Sequence, residues 1–315
     1  MKEDMTMAQI TAREIEYKSF GRCLELSNGI VKLIVTVDVG PRIINYSFCD
    51  GDNIMFEDLE RTFSNSGPAF DVFGGGTWYI YGGHRLWTSP EAMPRSYYPD
   101  NDPVPYTLTE QGAIFRPAPQ KWNQVAYEIE VELDPDSSDV SLTHHIKNTA
   151  SWNVELAPWA LTVLAPGGLE IVPQPTKDTG LLGNRLLALW PYTKLGDPRV
   201  NWGDKYITLC GEKGSNLNKF KFGINSEHGY AMYFLHGDLF LKQFRPVEGG
   251  TYPDGGMSFE TFTNGIFLEM ETLGELQSIK PGESAVHCET WSLYKEAAPE
   301  GGESELDTLV KKYVK

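Results

Sequence analysis

Positive charge is in short supply. Against 43 Asp and Glu the chain sets only 27 Lys and Arg over 315 residues, a formal charge of −16. Nucleic-acid binding needs clustered Lys and Arg to displace phosphate counterions, and an anionic membrane surface asks for the same. Neither partner fits this balance. Cysteine is sparse as well. Cys23, Cys49, Cys210 and Cys288 are far apart with no CxxC spacing, which excludes a disulfide scaffold and a zinc signature. They are expected as reduced, mostly buried thiols of a cytoplasmic protein. No apolar run approaches the roughly 18 residues of a spanning helix. The opening MKEDMTMAQITAREIEYKSF lacks the apolar core of an export signal. Also missing are GxSxG, GxxxxGK[ST], HExxH and a Rossmann glycine motif, so no cofactor is implied; GGG at 74–76 has no strand–helix context. There is no internal repeat of solenoid or propeller period.

What the chain does have is glycine, proline and aromatics: 31 Gly, 20 Pro, 15 Phe, 15 Tyr and 8 Trp. This mix suits short strands joined by tight turns. The dominant period is two. In VAYEIEVEL (125–133), Val125, Tyr127, Ile129, Val131 and Leu133 share one face, with Glu128, Glu130 and Glu132 on the other. The pattern returns at 139–147 after DPDSS, which predicts a hairpin. Further strands are expected at 23–26, 30–37, 42–48, 77–81, 112–116, 153–164, 206–210, 219–224, 229–235, 238–244, 258–262, 265–272 and 285–294. The Pro-rich stretch 89–119 reads as a long ordered loop. Helical signal is confined to the end, where Leu306, Leu309, Val310 and Tyr313 form a stripe behind Ser304 as cap. Strands do not alternate with helices, which disfavours a parallel sheet. Length alone allows two domains, yet large sandwiches run past 200 residues as one unit. The expected fold is all-β: an antiparallel β-sandwich in one domain over 1–315, its core about 20–296, with a short helical tail at 303–315.

Four places could carry chemistry. Segment 74–106 gathers His84, Arg85, Trp87, Glu91, Arg95, Tyr97, Tyr98 and Asp100. Sugars offer apolar C–H faces and many hydroxyls, so their sites combine flat aromatics with forked polar groups. The bland reading is an aromatic loop covering a sheet edge. In GIFLEMETL (265–273), Glu269 and Glu271 lie on one strand face roughly 7 Å apart, close enough for one to raise the pKa of the other and serve as an acid or base. A solvated strand face has the same pattern. His144 and His145 fall on opposite faces; His144 reads as core and His145 as the exposed candidate. His287 and Glu289 share a face, but no third ligand has a recognisable spacing, so no metal site is expected.

GPRIINYSF followed by DGDNIMFE, then GGHRLWTSPE, HIKNTASWNVELAPWALTVLAPGG, YPDGG and IFLEMETLG…LQSIKPGES…ETWSLY, resembles a family within the galactose mutarotase-like superfamily, to which aldose 1-epimerases also belong. The likeness runs over roughly 25–295 and rests on the order of short motifs. It implies a β-supersandwich with a concave sugar-binding face. It places Glu269 where the epimerase base stands before an L-x-P-G-E turn, with Glu271 at a glutamine position. It places His84 and Arg85 in the Gly-rich segment that reaches sugar hydroxyls. One departure matters: Trp159 stands where the epimerases carry their acid histidine, and an indole N–H is not acidic. His84 is then the expected acid, Arg85 a hydroxyl-holding group, and Trp87 and Trp159 stacking walls, with Tyr98, Glu271 and His145 as further substrate contacts. The implied function is carbohydrate binding, with aldose 1-epimerase-like ring opening of a small-molecule sugar as its catalytic form. The alternative is a non-catalytic sugar-binding or sensing module.

Overall fold

The computed structural model describes residues 10–214 and 218–314. Two large antiparallel sheets face each other across a common core, as the alternating patterns require. One sheet runs, in spatial order, through strands 11–16, 22–27, 31–36, 43–48, 83–89, 154–164, 268–273, 259–263, 220–224 and 187–189; strand 277–279 pairs with the start of 154–164. The other runs 200–202, 206–210, 169–173, 230–235, 238–244, 284–295, 140–148, 125–133, 112–115 and 106–108. The expected hairpin is present. Val125 pairs with Asn148 and Leu133 with Val140, and Asp134 N–H donates to the Asp139 carbonyl at 2.9 Å.

Inward-facing residues of both sheets make the core. Phe220 and Phe222 come from one sheet; Phe115, Ile146, Phe240 and Trp291 come from the other. Tyr46 reaches across to Phe240 and Trp291, with ring centroids 6.1 and 5.8 Å away. Strand 154–164 is buried on both faces for most of its length. That is why its sequence is a near-continuous apolar run without alternation.

Several expectations need correction. GHRLWTS (83–89), not among the expected strands, is a central strand between 43–48 and 154–164. Only Trp78–Tyr79 of 77–81 is strand, in a small ribbon with Ser64–Asn65. The terminal helix spans Glu303–Tyr313, and its N-cap is Gly302, not Ser304, which lies inside the first turn. Leu306 and Leu309 pack on Tyr206, Met232, Leu239 and Leu241, on the outer face of the second sheet. Of the cysteines only Cys23 is buried; Cys49 and Cys210 are half-buried and Cys288 is exposed, all four as free thiols. Among the described residues no helix is long and apolar enough to cross a membrane.

Candidate functional site

Register explains which side chains meet. Trp159 lies opposite Trp87, and Leu161 opposite Arg85. On its other side Leu161 faces Glu271 and Val163 faces Glu269. Glu269 in turn lies opposite Phe262, which lies opposite Lys221. Directly paired residues share a face. Arg85, Trp87, Trp159, Glu269, Glu271 and Lys221 therefore all emerge on the outer side of the first sheet. There all but Glu271, which lies beneath, floor a hollow of about 500 Å³, walled by Trp78, Tyr97, Trp190, Tyr192, Phe63 and Phe267.

The floor is built from two linked ion clusters. Arg85 Nη2 donates to Glu269 Oε1 at 3.0 Å, and the guanidinium lies over Trp87 at 4.3 Å and Trp78 at 5.7 Å. Lys221 Nζ sits 2.7 Å from Glu260 and 2.9 Å from Glu271, and stacks over Trp190 at 4.5 Å and Trp159 at 4.9 Å. Trp159 Nε1 donates to Glu271 Oε2 at 2.9 Å. Buried charges are costly unless paired, and here each pairs within one face. Burial raises the Glu269 pKa above the ordinary carboxylate range, and Glu271 adds to the rise, although Arg85 and Lys221 pull the other way. Burial likewise holds Glu260 well up, against the opposing pull of Lys221. For Lys221 burial works against the charge, but Glu271 and Glu260 outweigh it and hold the ammonium protonated. The Glu269 side chain keeps 11% of its surface, whereas Glu271 keeps 1%. Glu269 is thus the carboxyl a ligand meets, and Glu271 lies beneath, fixing Trp159 and Lys221.

The structure brings Arg85, Trp87, Trp159 and Glu269 together with Glu271 below them. It does not bring His84, Tyr98 or His145. His84 is adjacent to Arg85 on one strand, so it points through the opposite face. It is 0% exposed between the sheets, with Nδ1 2.9 Å from Thr162 Oγ1, Nε2 2.8 Å from His144 Nε2, and its ring edge-on to Trp291. Burial, then His144 and Lys242, push its pKa well below the usual histidine value. A neutral ring with no path to the hollow does not supply an acid there. Tyr98 sits behind the wall, edge-on to Phe73 and in a small crevice beside Arg42 and Asp100. His145 lies on the outer face of the other sheet, 4.0 Å from Glu128, as the opposite-face argument for the His144–His145 pair requires.

His84, His144 and Glu289 offer ligand atoms within 4.8 Å of one another. Their hydrogen bonds leave no free ring-nitrogen lone pair for a metal. His144 Nδ1–H donates to the His287 carbonyl, leaving Nε2 to accept from His84. His84 Nδ1 then accepts from Thr162, whose oxygen accepts from Lys242 Nζ. Lys242 also meets Glu289 at 2.9 Å, and Glu289 Oε2 accepts from Trp291 Nε1. A cation would have to displace an ammonium already in place.

Lys221, Trp190 and Tyr192 were not among the expected site residues. The signal for Lys221 was present: in KFKF, Phe220 and Phe222 belong inward, so Lys219 and Lys221 must face outward. Trp190 and Tyr192 lie outside any strand, with no period to place them.

No family model matches the sequence, and no curated protein sequence matches it. Solved structures do. A galactose mutarotase-like protein from Lactobacillus casei superposes with a TM-score of 0.56 at 10% identity, over 86% of this chain and 100% of that one. A galactose mutarotase-like protein from Clostridium acetobutylicum gives 0.55 at 10% identity, over 91% and 99%. A TPR-domain containing protein from Parabacteroides distasonis gives 0.59 at 13% identity, over 88% of this chain and 48% of that one, so the chain spans about half its length. At such identities the likeness defines the fold: the chain carries the galactose mutarotase-like supersandwich, as the motif resemblance implied.

Proposed function

We propose that this protein binds a carbohydrate in the hollow above Arg85 and Glu269. The observation that carries the reading is the composition of that hollow. Four tryptophans and two tyrosines offer flat surfaces for sugar C–H faces, while Glu269 and Glu91 offer acceptors for hydroxyls. The fold agrees, since structures of like fold are described as galactose mutarotase-like.

A second reading, aldose 1-epimerase-like ring opening, is favoured by one feature: the raised pKa of Glu269 suits a general base. Its weakness is the acid. Trp159 and His84 do not serve. Tyr97, whose hydroxyl donates to Glu91, has its pKa raised by burial and by Glu91, which makes it a poor donor. Binding without catalysis is therefore the first reading.

Calorimetric titration with aldoses tests it. Wild type is expected to bind. Glu269→Gln keeps an acceptor for Arg85, so it should fold, yet lose roughly tenfold or more in affinity, the worth of a hydrogen bond to a charged group. Equal affinity in both proteins would remove Glu269 from the site. Polarimetry of freshly dissolved α-glucose and α-galactose separates the readings: acceleration by wild type and not by the variant would establish the catalytic form.

A further inference from the structure

Hydrogen-bond satisfaction within the hollow shows a one-sided surplus. Arg85 is 3% exposed and Trp78 is 5% exposed. Arg85 Nε, Arg85 Nη1 and Trp78 Nε1 are all buried, and among the described residues none of the three has an acceptor. They belong to side chains in contact, since the guanidinium lies 5.7 Å from the Trp78 ring centroid, and both line the hollow. Folded proteins leave few buried donors unpaired, because each costs about 1–3 kcal/mol. Acceptors for this wall therefore come from water or from a ligand that enters.

The chemistry of that acceptor follows from the donors. Arg and Trp donate only. A sugar hydroxyl would bring a proton as well as lone pairs, and these three donors cannot take it, so it would have to turn to Glu269. A carboxylate brings lone pairs and no proton. Elsewhere in the hollow Glu269 and Glu91 accept, which suits hydroxyls. The charge also argues for a monoanion. Lys221 is held between Glu260 and Glu271, and Lys219 is exposed, so Arg85 is the buried lining cation with N–H groups to spare. A phosphate dianion would ask for more.

We propose that the carbohydrate carries a carboxylate, a hexuronate or a sugar acid of similar size, with the carboxylate against Arg85 and Trp78 and the hydroxyl face toward Glu269. This rests on the saccharide reading and narrows it to a substrate class.

The test titrates wild type calorimetrically with glucose, galactose, glucuronate, galacturonate and glucose 6-phosphate. At least one uronate is expected to bind about tenfold or more tighter than its neutral parent. Trp78→Phe keeps an aromatic ring against Tyr97 and Trp87 but removes the N–H. It should weaken uronate binding roughly fivefold more than it weakens neutral-sugar binding. Arg85→Lys should abolish the preference. Neutral sugars binding as tightly as uronates, the phosphate ester binding tightest, or Trp78→Phe leaving uronate affinity intact would each overturn this proposal while leaving the saccharide reading standing. Failure of all five sugars to bind would overturn both.

Discussion

Between the sheets, single residues are arranged with as much constraint as in the hollow. Glu170 is fully buried on strand 169–173 and accepts a hydrogen bond from Thr261 Oγ1 at 2.7 Å. Burial lifts its pKa from 4.5 to about 8, with a further push from Glu271 against the pull of Thr261 and Lys242. The consequence for stability has a definite sign. Below pH 4.5 Glu170 is protonated in both states. From there to about 8 the unfolded chain releases this proton and the folded chain keeps it, so this group lowers stability progressively across that window. Glu170→Gln retains an acceptor for Thr261 and has no proton to lose. Urea unfolding from pH 5 to 9 should show the variant gaining on wild type as pH rises, with the gap levelling off above about 8. Parallel profiles would show that Glu170 ionises normally. His287 contributes with the opposite slope. Its pKa falls to about 3, mainly through burial, so its share of stability is lost as pH drops from 6.5 toward 3.

Strand 83–89 is the element on which the site depends, and the one the sequence concealed. Its inward side chains are His84, Leu86 and Thr88; its outward ones are Arg85, Trp87 and Ser89. Both faces mix polar with apolar, because one meets the buried histidine–lysine network and the other floors the hollow. No alternation survives for pattern reading to find. Strand 125–133 was legible because one of its faces meets water. The misplacement of His84 has the same origin. The alternation that separated His144 from His145 would have separated His84 from Arg85, had GGHRLW been seen as a strand. Glu269 needed the motif order; the strand pattern alone could not distinguish it from a wetted face such as Glu128 to Glu132. Close backbone approach requires glycine where the strand begins. Gly83 has φ +61, and a Cβ there would lie 2.1 Å from the Ile43 carbonyl oxygen; one on Gly82 would lie 2.0 Å from that of Phe56. Gly83→Ala should therefore destabilise the fold by more than about 1 kcal/mol in denaturant titration. It should also weaken ligand binding, since Arg85 and Trp87 ride on the same strand. A variant of wild-type stability would mean that the close approach at Ile43 is not required.

Across the whole molecule the layers are ordered. The hollow lies outside the first sheet, the apolar core and buried polar network lie between the sheets, and the terminal helix covers the outside of the second. Strand patterning was enough to read a sandwich, because strands 125–133 and 140–148 and the first half of 284–295 alternate buried with less buried residues. The hollow was only partly readable, because it draws on strands 83–89, 154–164, 220–224 and 268–273, which are distant in sequence and related only by pairing. Lys242 links the layers: from the second sheet its ammonium reaches the backbone carbonyls of Ala160 and Met270, directly under the floor that carries Trp159 and Glu269. The saccharide account depends on what occupies that floor. A crystal structure of the protein soaked with galactose and, separately, with galacturonate tests it most directly. The account predicts a sugar ring against Trp87 or Trp159, with a hydroxyl within hydrogen-bonding distance of Glu269. A sugar bound elsewhere on the molecule, with Glu269 and Arg85 still in contact only with each other, would contradict it.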